Sequence, residues 1–166
     1  IIQHLNRKQN ESELMLCNVA TGASKAIYTE KDSAWIDITP LWDNDYIMGG
    51  WDWLNGGKEF LWASEKDGWR HLYRVSRDGK KEILITNGNY DVMEISAIDE
   101  KGGWLYFHAS PDNATQQYLY RTKLDGKGKA ERVSPANQNG THDYDESPTG
   151  KFAQHRFSNY YTPGAS

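Results

Sequence analysis

His71-Leu72-Tyr73-Arg74-Val75-Ser76-Arg77-Asp78-Gly79 recurs as Tyr118-Leu119-Tyr120-Arg121-Thr122-Lys123-Leu124-Asp125-Gly126, with the two closing glycines 47 residues apart. A looser copy, Leu14-Met15-Leu16-Cys17-Asn18-Val19-Ala20-Thr21-Gly22, ends 57 residues before Gly79. Each copy is an alternating apolar run that ends on Asp-Gly or Thr-Gly. Period-two alternation marks a strand with two distinct faces. Asp-Gly after such a run predicts a tight hairpin with positive φ at both turn positions. The longer first interval places an insertion of about ten residues near Glu30–Tyr46.

A second set lies upstream of these copies. Asn55-Gly56-Gly57 precedes Phe60-Leu61-Trp62-Ala63-Ser64, and Lys101-Gly102-Gly103 precedes Leu105-Tyr106-Phe107-His108-Ala109-Ser110. Thr149-Gly150-Lys151 precedes Phe152-Ala153-Gln154-His155-Arg156-Phe157-Ser158. Aligned on their serines, the intervals are 46 and 48 residues. A period near 47 with four strand-like runs per unit is the pattern of propeller blades. The expected strands of the middle unit are about 46–54, 59–65, 69–77 and 81–86; those of the next are about 92–98, 104–109, 117–124 and 130–133. Three strands precede them, at about 1–5, 13–19 and 24–29, and two follow, at about 142–146 and 152–157. The expected fold is all-β: a partial β-propeller of about three to four four-stranded antiparallel blades. It divides as a partial blade over about 1–30, full blades over 46–86 and 92–134, and a partial blade over 142–158.

Both faces of these strands are apolar. Phe60 and Trp62 oppose Leu61 and Ala63, and Trp104 and Tyr106 oppose Leu105 and Phe107. Blades stacked between two neighbours cover both faces; a β-sandwich is the alternative, and it explains the equal spacing less well. No window of eleven residues shows helical periodicity.

The chain has 166 residues, 37% hydrophobic and 25% charged, which is the composition of a folded protein rather than a disordered tail. Seven Trp, ten Tyr and four Phe suit strands and large packed faces. A net charge of −4 without a basic stripe argues against a nucleic-acid partner. No apolar run approaches the roughly 18 residues of a membrane helix. The single Cys17 excludes an internal disulfide framework and a multi-thiol zinc site. The chain opens Ile1-Ile2-Gln3 without a methionine, and 166 residues make about three and a half 47-residue units. It therefore reads as an arc of a larger propeller, and self-association through exposed blade edges and apolar blade faces is expected.

Nucleophile motifs are missing. There is no Gly-x-Ser-x-Gly; Ser24 reads as a turn serine and Cys17 as strand packing. No two of His4, His71, His108, His142 and His155 stand at a metal-ligand spacing on one element. His142-Asp143-Tyr144-Asp145-Glu146 could hold a cation or be a solvated strand entry. Asp43-Asn44-Asp45 opens like a calcium loop but has Met48 where the glycine belongs. The tryptophans Trp35, Trp42, Trp51, Trp53, Trp62, Trp69 and Trp104 could form a sugar-binding platform or pack between blades, and Trp62 and Trp104 suit packing. Asn10-Glu11-Ser12, Asn113-Ala114-Thr115 and Asn139-Gly140-Thr141 match the short glycosylation pattern. In Asp67-Gly68-Trp69-Arg70-His71-Leu72-Tyr73, the Asp-Gly makes a turn. Trp69, His71 and Tyr73 are then expected to share a strand face and stack, although His71 could instead face a ligand.

At this last stretch the chain resembles the propeller domain of the dipeptidyl peptidase IV family of serine exopeptidases. That family has an aromatic-rich strand followed by Asp-Gly-(Trp/Tyr)-x-His-(Leu/Ile)-Tyr, here Phe60 through Tyr73. Its Leu-Tyr-Phe strand is matched by Leu105-Tyr106-Phe107, and its opening by Asn6-Arg7-Lys8-Gln9-Asn10 with the Thr21-Gly22 turn. Tyr90 and Asp91 stand where the family has Trp-Glu. The resemblance spans nearly the whole chain.

It implies an exported parent enzyme, in the periplasm or cell envelope of a bacterium, with an eight-bladed propeller over a C-terminal α/β-hydrolase domain. The substrates are peptides with a free N-terminus, from which X-Pro or X-Ala dipeptides are removed by a Ser-Asp-His triad. In that family an adjacent Glu-Glu pair holds the substrate amine. Neither the pair nor the triad serine motif occurs in these 166 residues. The resemblance thus assigns no catalytic, substrate-binding or metal-ligating residue and no cofactor to this chain. It carries over Asp67, Gly68, Trp69, His71 and Tyr73 as scaffold, and the isolated chain is expected to be inert. The alternatives are a free-standing propeller that serves as a protein-interaction scaffold, and a propeller glycosidase with two carboxylates about 5–10 Å apart.

Overall fold

A computed structural model describes residues 1–37, 51–147 and 151–166. The predicted strand start at 46–50, the Asp43-Asn44-Asp45 segment, Trp42, most of the insertion and the Thr149-Gly150 turn lie outside the described residues. Four antiparallel sheets follow one another along the chain. The first holds β1 (Ile2–Leu5), β2 (Glu11–Cys17) and β3 (Ser24–Lys31); the second holds β4 (Trp51–Leu54), β5 (Glu59–Ser64), β6 (His71–Ser76) and β7 (Glu82–Leu84). The third holds β8 (Val92–Asp99), β9 (Trp104–Ala109), β10 (Tyr118–Lys123) and β11 (Glu131–Arg132); the fourth holds β12 (Thr141–Glu146), β13 (Ala153–Asn159) and β14 (Thr162–Ala165). Each sheet is a meander with neighbours in sequence order. The architecture is all-β and the sheets do not close, as expected for an arc of a propeller.

Two apolar seams join the sheets. Leu14 and Ile27 of the first sheet meet Phe60, Trp62, Tyr73 and Val75 of the second. Leu61, Ala63 and Leu72 on the opposite face of the second sheet meet Leu105, Phe107 and Tyr120 of the third. Each such side chain, withdrawn from water, contributes about 1.5–3 kcal/mol. The period-two alternation therefore serves two neighbours at once, because odd and even residues of β5 enter different seams.

Two turn glycines tie the second sheet to the first and the third to the second. Only the glycine of each Asp-Gly or Thr-Gly pair is left-handed: φ is 73° at Gly22, 71° at Gly79 and 71° at Gly126. The expectation of positive φ at both turn positions is thus wrong. The β6–β7 loop has four residues, 77–80, and only its third needs the left-handed region, as in the longer hairpin loops. A Cβ on Gly79 would collide with the backbone carbonyl of Ile27 in β3, and one on Gly126 with that of Leu84 in β7. The same wedge at both seams equates β3 with β7. The first sheet therefore corresponds to the second to fourth strands of its neighbour.

One alignment is corrected. Trp62 pairs with Tyr73, and Phe107 pairs with Tyr120. Ser64 pairs with His71, whereas Ala109 pairs with Tyr118. Phe107 thus takes the place of Trp62, and Ser64 corresponds to Ala109, not to Ser110. Leu54–Glu59 and Asp99–Trp104 close loops of equal length, but the Gly-Gly pair sits one position later in the second loop. Aligning on the glycines slips the strand by one residue, which exchanges its faces.

β14 was not expected, since Thr162-Pro163-Gly164-Ala165 has no apolar alternation; it pairs through Asn159–Thr162 and Phe157–Ala165. The outward faces of the end sheets are also more polar than expected. Asp143 pairs with Arg156 at 2.7 Å on the fourth sheet; His4 with Glu13 at 3.5 Å and Lys31 with Glu11 at 2.6 Å lie on the first.

Candidate functional site

The Asp67–Tyr73 stretch is a loop locked by one carboxylate. Gly68, at φ 96°, makes the turn, and its N–H donates to the Glu65 carbonyl at 2.9 Å. Asp67 accepts from the Trp69 N–H at 3.3 Å, from His71 Nδ1 at 2.7 Å and from the Tyr73 hydroxyl. A carboxylate only accepts, so His71 carries its proton on Nδ1. Burial alone would raise the Asp67 carboxyl, but the hydrogen bonds from His71, Tyr73 and the Trp69 N–H, with the charge of His71, hold it below its usual range. Burial pushes the Tyr73 hydroxyl up, and its bond to Asp67 adds to this. His71 is 2% exposed and meets Tyr90 edge-on at 5.9 Å. Trp69 does not stack with His71 and Tyr73. The strand begins only at His71, and Trp69 stays in the turn, 39% exposed.

Beside this loop is a cleft of about 120 Å³ between the first two sheets, lined by Glu30, Trp35, Asp37, Glu65, Lys66 and Arg70. Its charges are mutually satisfied. Arg70 reaches Asp37 at 2.9 Å and Glu65 at 3.3 Å, and Glu30 accepts from the Trp62 indole at 2.8 Å and Ser64 at 2.6 Å. Lys66 pairs with Glu82 and lies 4.0 Å from the centre of the Tyr73 ring. The cleft is polar, and the one serine hydroxyl among its lining residues, Ser64, is held by the Glu30 carboxylate that also accepts from the Trp62 indole. Sequence reasoning missed a repeated brace. Buried Thr86 accepts from the Leu72 N–H at 2.9 Å, and buried Ser134 from the Leu119 N–H at 2.8 Å. The signal was present as a hydroxyl 14 or 15 residues after each leucine.

The other candidates disperse. Trp51 stacks on Phe60 at 4.1 Å and meets Trp53 edge-on at 5.2 Å, so these rings pack against one another rather than form a flat platform. Trp62 is buried in the same seam. Trp104 is half-buried, with Lys123 3.5 Å and Arg121 4.3 Å from its ring centre. Trp35 is exposed, Ser24 begins β3 in the open, and Cys17 ends β2 half-buried. His4 lies against Glu13, and His108 Nδ1 lies 2.6 Å from Glu94. His142 and His155, 13 residues apart, come together across β12 and β13. Among the described residues no three His, Cys, Asp or Glu side chains are placed to hold a metal ion.

The family model described as the dipeptidyl peptidase IV (DPP IV) N-terminal region matches residues 1–164. The dipeptidyl peptidase 4 of Trichophyton rubrum is 32% identical over 124 residues, covering 74% of this chain and 15% of that protein. A probable dipeptidyl-aminopeptidase B of Coccidioides posadasii is 27% identical over 134 residues, covering 76% of this chain and 14% of that protein. The crystal structure of Porphyromonas gingivalis dipeptidyl peptidase 4 superposes with a TM-score of 0.77 at 25% identity, over 98% of this chain and 21% of that one. The chain thus spans about a seventh of these sequence relatives and a fifth of the solved structure. With its four meander sheets, its repeated glycine wedge and its Asp67–Tyr73 loop, the chain belongs to the family of the dipeptidyl peptidase IV N-terminal region.

Proposed function

We propose that this chain is a segment of the substrate-gating propeller of a serine exopeptidase that removes N-terminal X-Pro or X-Ala dipeptides. The family match over 1–164 carries this reading. The blades follow the division 1–30, 46–86, 92–134 and 142–158, with β14 extending the last of them to Ala165. The partner is a C-terminal α/β-hydrolase domain of the same parent chain, which supplies the triad. The segment itself works as scaffold, and in isolation it is catalytically inert. The wedged turns and satisfied charges give a wall that keeps its shape while peptides pass. The parent is exported; the periplasm or cell envelope is the setting if its source is a bacterium.

The reading is tested on the full-length protein with Gly-Pro and Ala-Pro chromogenic substrates, each with a free and an acetylated N-terminus. Cleavage of the free-amine substrates alone is expected. Equal cleavage of the acetylated forms refutes the gate, and no cleavage of either refutes the exopeptidase.

A further inference from the structure

The seam between the third and fourth sheets is built on histidine. His142 is fully buried and lies between the Tyr118 ring at 5.4 Å and Phe157 at 4.8 Å. Its Nε2 is 3.1 Å from the Gln138 carbonyl, which also accepts from Arg132 Nη2 at 2.9 Å. A carbonyl only accepts, so His142 Nε2 carries a proton. In neutral His142 the other nitrogen, Nδ1, is then a lone pair. It lies 2.9 Å from His155 Nε2, which must therefore be the donor. The hydrogen-bond pattern fixes the tautomers of both rings.

This arrangement accepts one proton without change. His155 Nδ1 is outside the shared contact, and His155 is the more exposed ring, stacked on Tyr144 at 4.4 Å. A second proton can only go to His142 Nδ1. It would set N–H against N–H across 2.9 Å, in a buried place already beside the Arg132 guanidinium. We propose that the His142–His155 pair is a one-proton latch, holding the fourth sheet against the third while at most one of the two rings is charged and releasing it when both are.

The groups facing the pair are consistent with this. Arg132 on β11 is a fixed cation over the Tyr118 ring at 3.7 Å. His108 on β9 is held by Glu94 of β8 and lies 6.1 Å from the Tyr144 ring. Glu146, further along β12, accepts from Ser96 of β8. The carboxylates therefore sit with His108 and Ser96, and none is hydrogen-bonded to His142. Burial pushes His142 below its ordinary value of 6.5; the Gln138 carbonyl opposes this, and the charges of His155, Arg132 and His108 add to it.

The test is amide hydrogen exchange by mass spectrometry on the full-length protein, corrected for intrinsic rates, between about pH 7.5 and about pH 5, either side of the ordinary histidine range. Peptides covering β12 and β13 are expected to exchange faster at the acid end while those covering β5 and β6 do not, because stability is lost where a group's folded and unfolded proton affinities differ. His155→Gln should abolish the acid effect, because its amide donates to neutral His142 and, flipped, accepts from the charged form. Equal acid release in wild type and His155→Gln overturns the proposal, as does wild-type exchange that is flat with pH. Imidazole C2–H exchange of the wild type gives a second reading that needs no variant. The His142 ring should titrate below its ordinary value of 6.5, and a His142 midpoint at or above that value also overturns it.

Discussion

Replacing Gly79 by alanine tests whether the blades are locked by turn glycines. Two costs are expected. The left-handed φ of 71° penalises any residue with a Cβ by about 1–2 kcal/mol. The new Cβ also collides with the Ile27 carbonyl, which belongs to the backbone of β3 and cannot rotate away. Shifts forced in a close-packed seam cost about 1–3 kcal/mol more. Gly22 is the internal control: its φ is 73°, and nothing lies within 4 Å of its Cβ position. Gly22→Ala carries the first cost only, so the difference between the two variants isolates the wedge at about 2 kcal/mol, equivalent to a roughly thirty-fold difference in local opening. Native-state amide exchange of the full-length protein, read at β3 and β7, measures this. Equal opening in Gly79→Ala and Gly22→Ala would mean that the contact with Ile27 does not hold the blades together.

Three further outcomes follow from named contacts. Asp67→Ala removes the acceptor of buried His71, of Tyr73 and of the Trp69 N–H, and should cost about 1–3 kcal/mol by thermal melting; a loss under about 0.5 kcal/mol, typical of a plain surface position, would refute the lock. The pH dependence has a definite sign. The folded state holds the Asp67 carboxyl low, so its contribution is full above the unfolded value near 3.8 and fades as pH falls through the folded one. The melting-temperature gap between wild type and Asp67→Ala should therefore shrink below about pH 4, and a gap that widens on acidification contradicts the assignment. Phe60→Ala opens a cavity in a seam and should cost about 3–5 kcal/mol, whereas Trp104→Ala, at a half-buried ring outside the buried clusters, loses cation–π contacts worth about 0.5–1 kcal/mol each and should cost less; similar losses would refute this division of roles.

The fold was legible because its signal is local. The run from His71 to Gly79 and that from Tyr118 to Gly126 each encode a strand, a turn and a wedge within nine residues. What was misread depends on contacts between segments. The slip between Ser64 and Ser110 arose because the Gly-Gly pairs occupy different places in loops of equal length, and loop length is set by pairing rather than by the glycines. Trp69 looked like a strand residue by alternation, but the Asp67 carboxylate claims its N–H for the turn. β14 has no alternation because it borrows its register from β13. The His142–His155 pair was invisible because cross-strand neighbours have no fixed sequence spacing. The absence of a nucleophile motif was legible directly, since that motif is contiguous.

We propose that this chain is non-catalytic propeller wall in a dipeptidyl peptidase. Gly-Pro release from a chromogenic substrate, measured side by side for the full-length protein and the 166-residue chain, tests it most directly. The account predicts turnover by the full-length protein and none by the chain above a heat-denatured control. Turnover by the isolated chain, or none by the full-length protein, would contradict it.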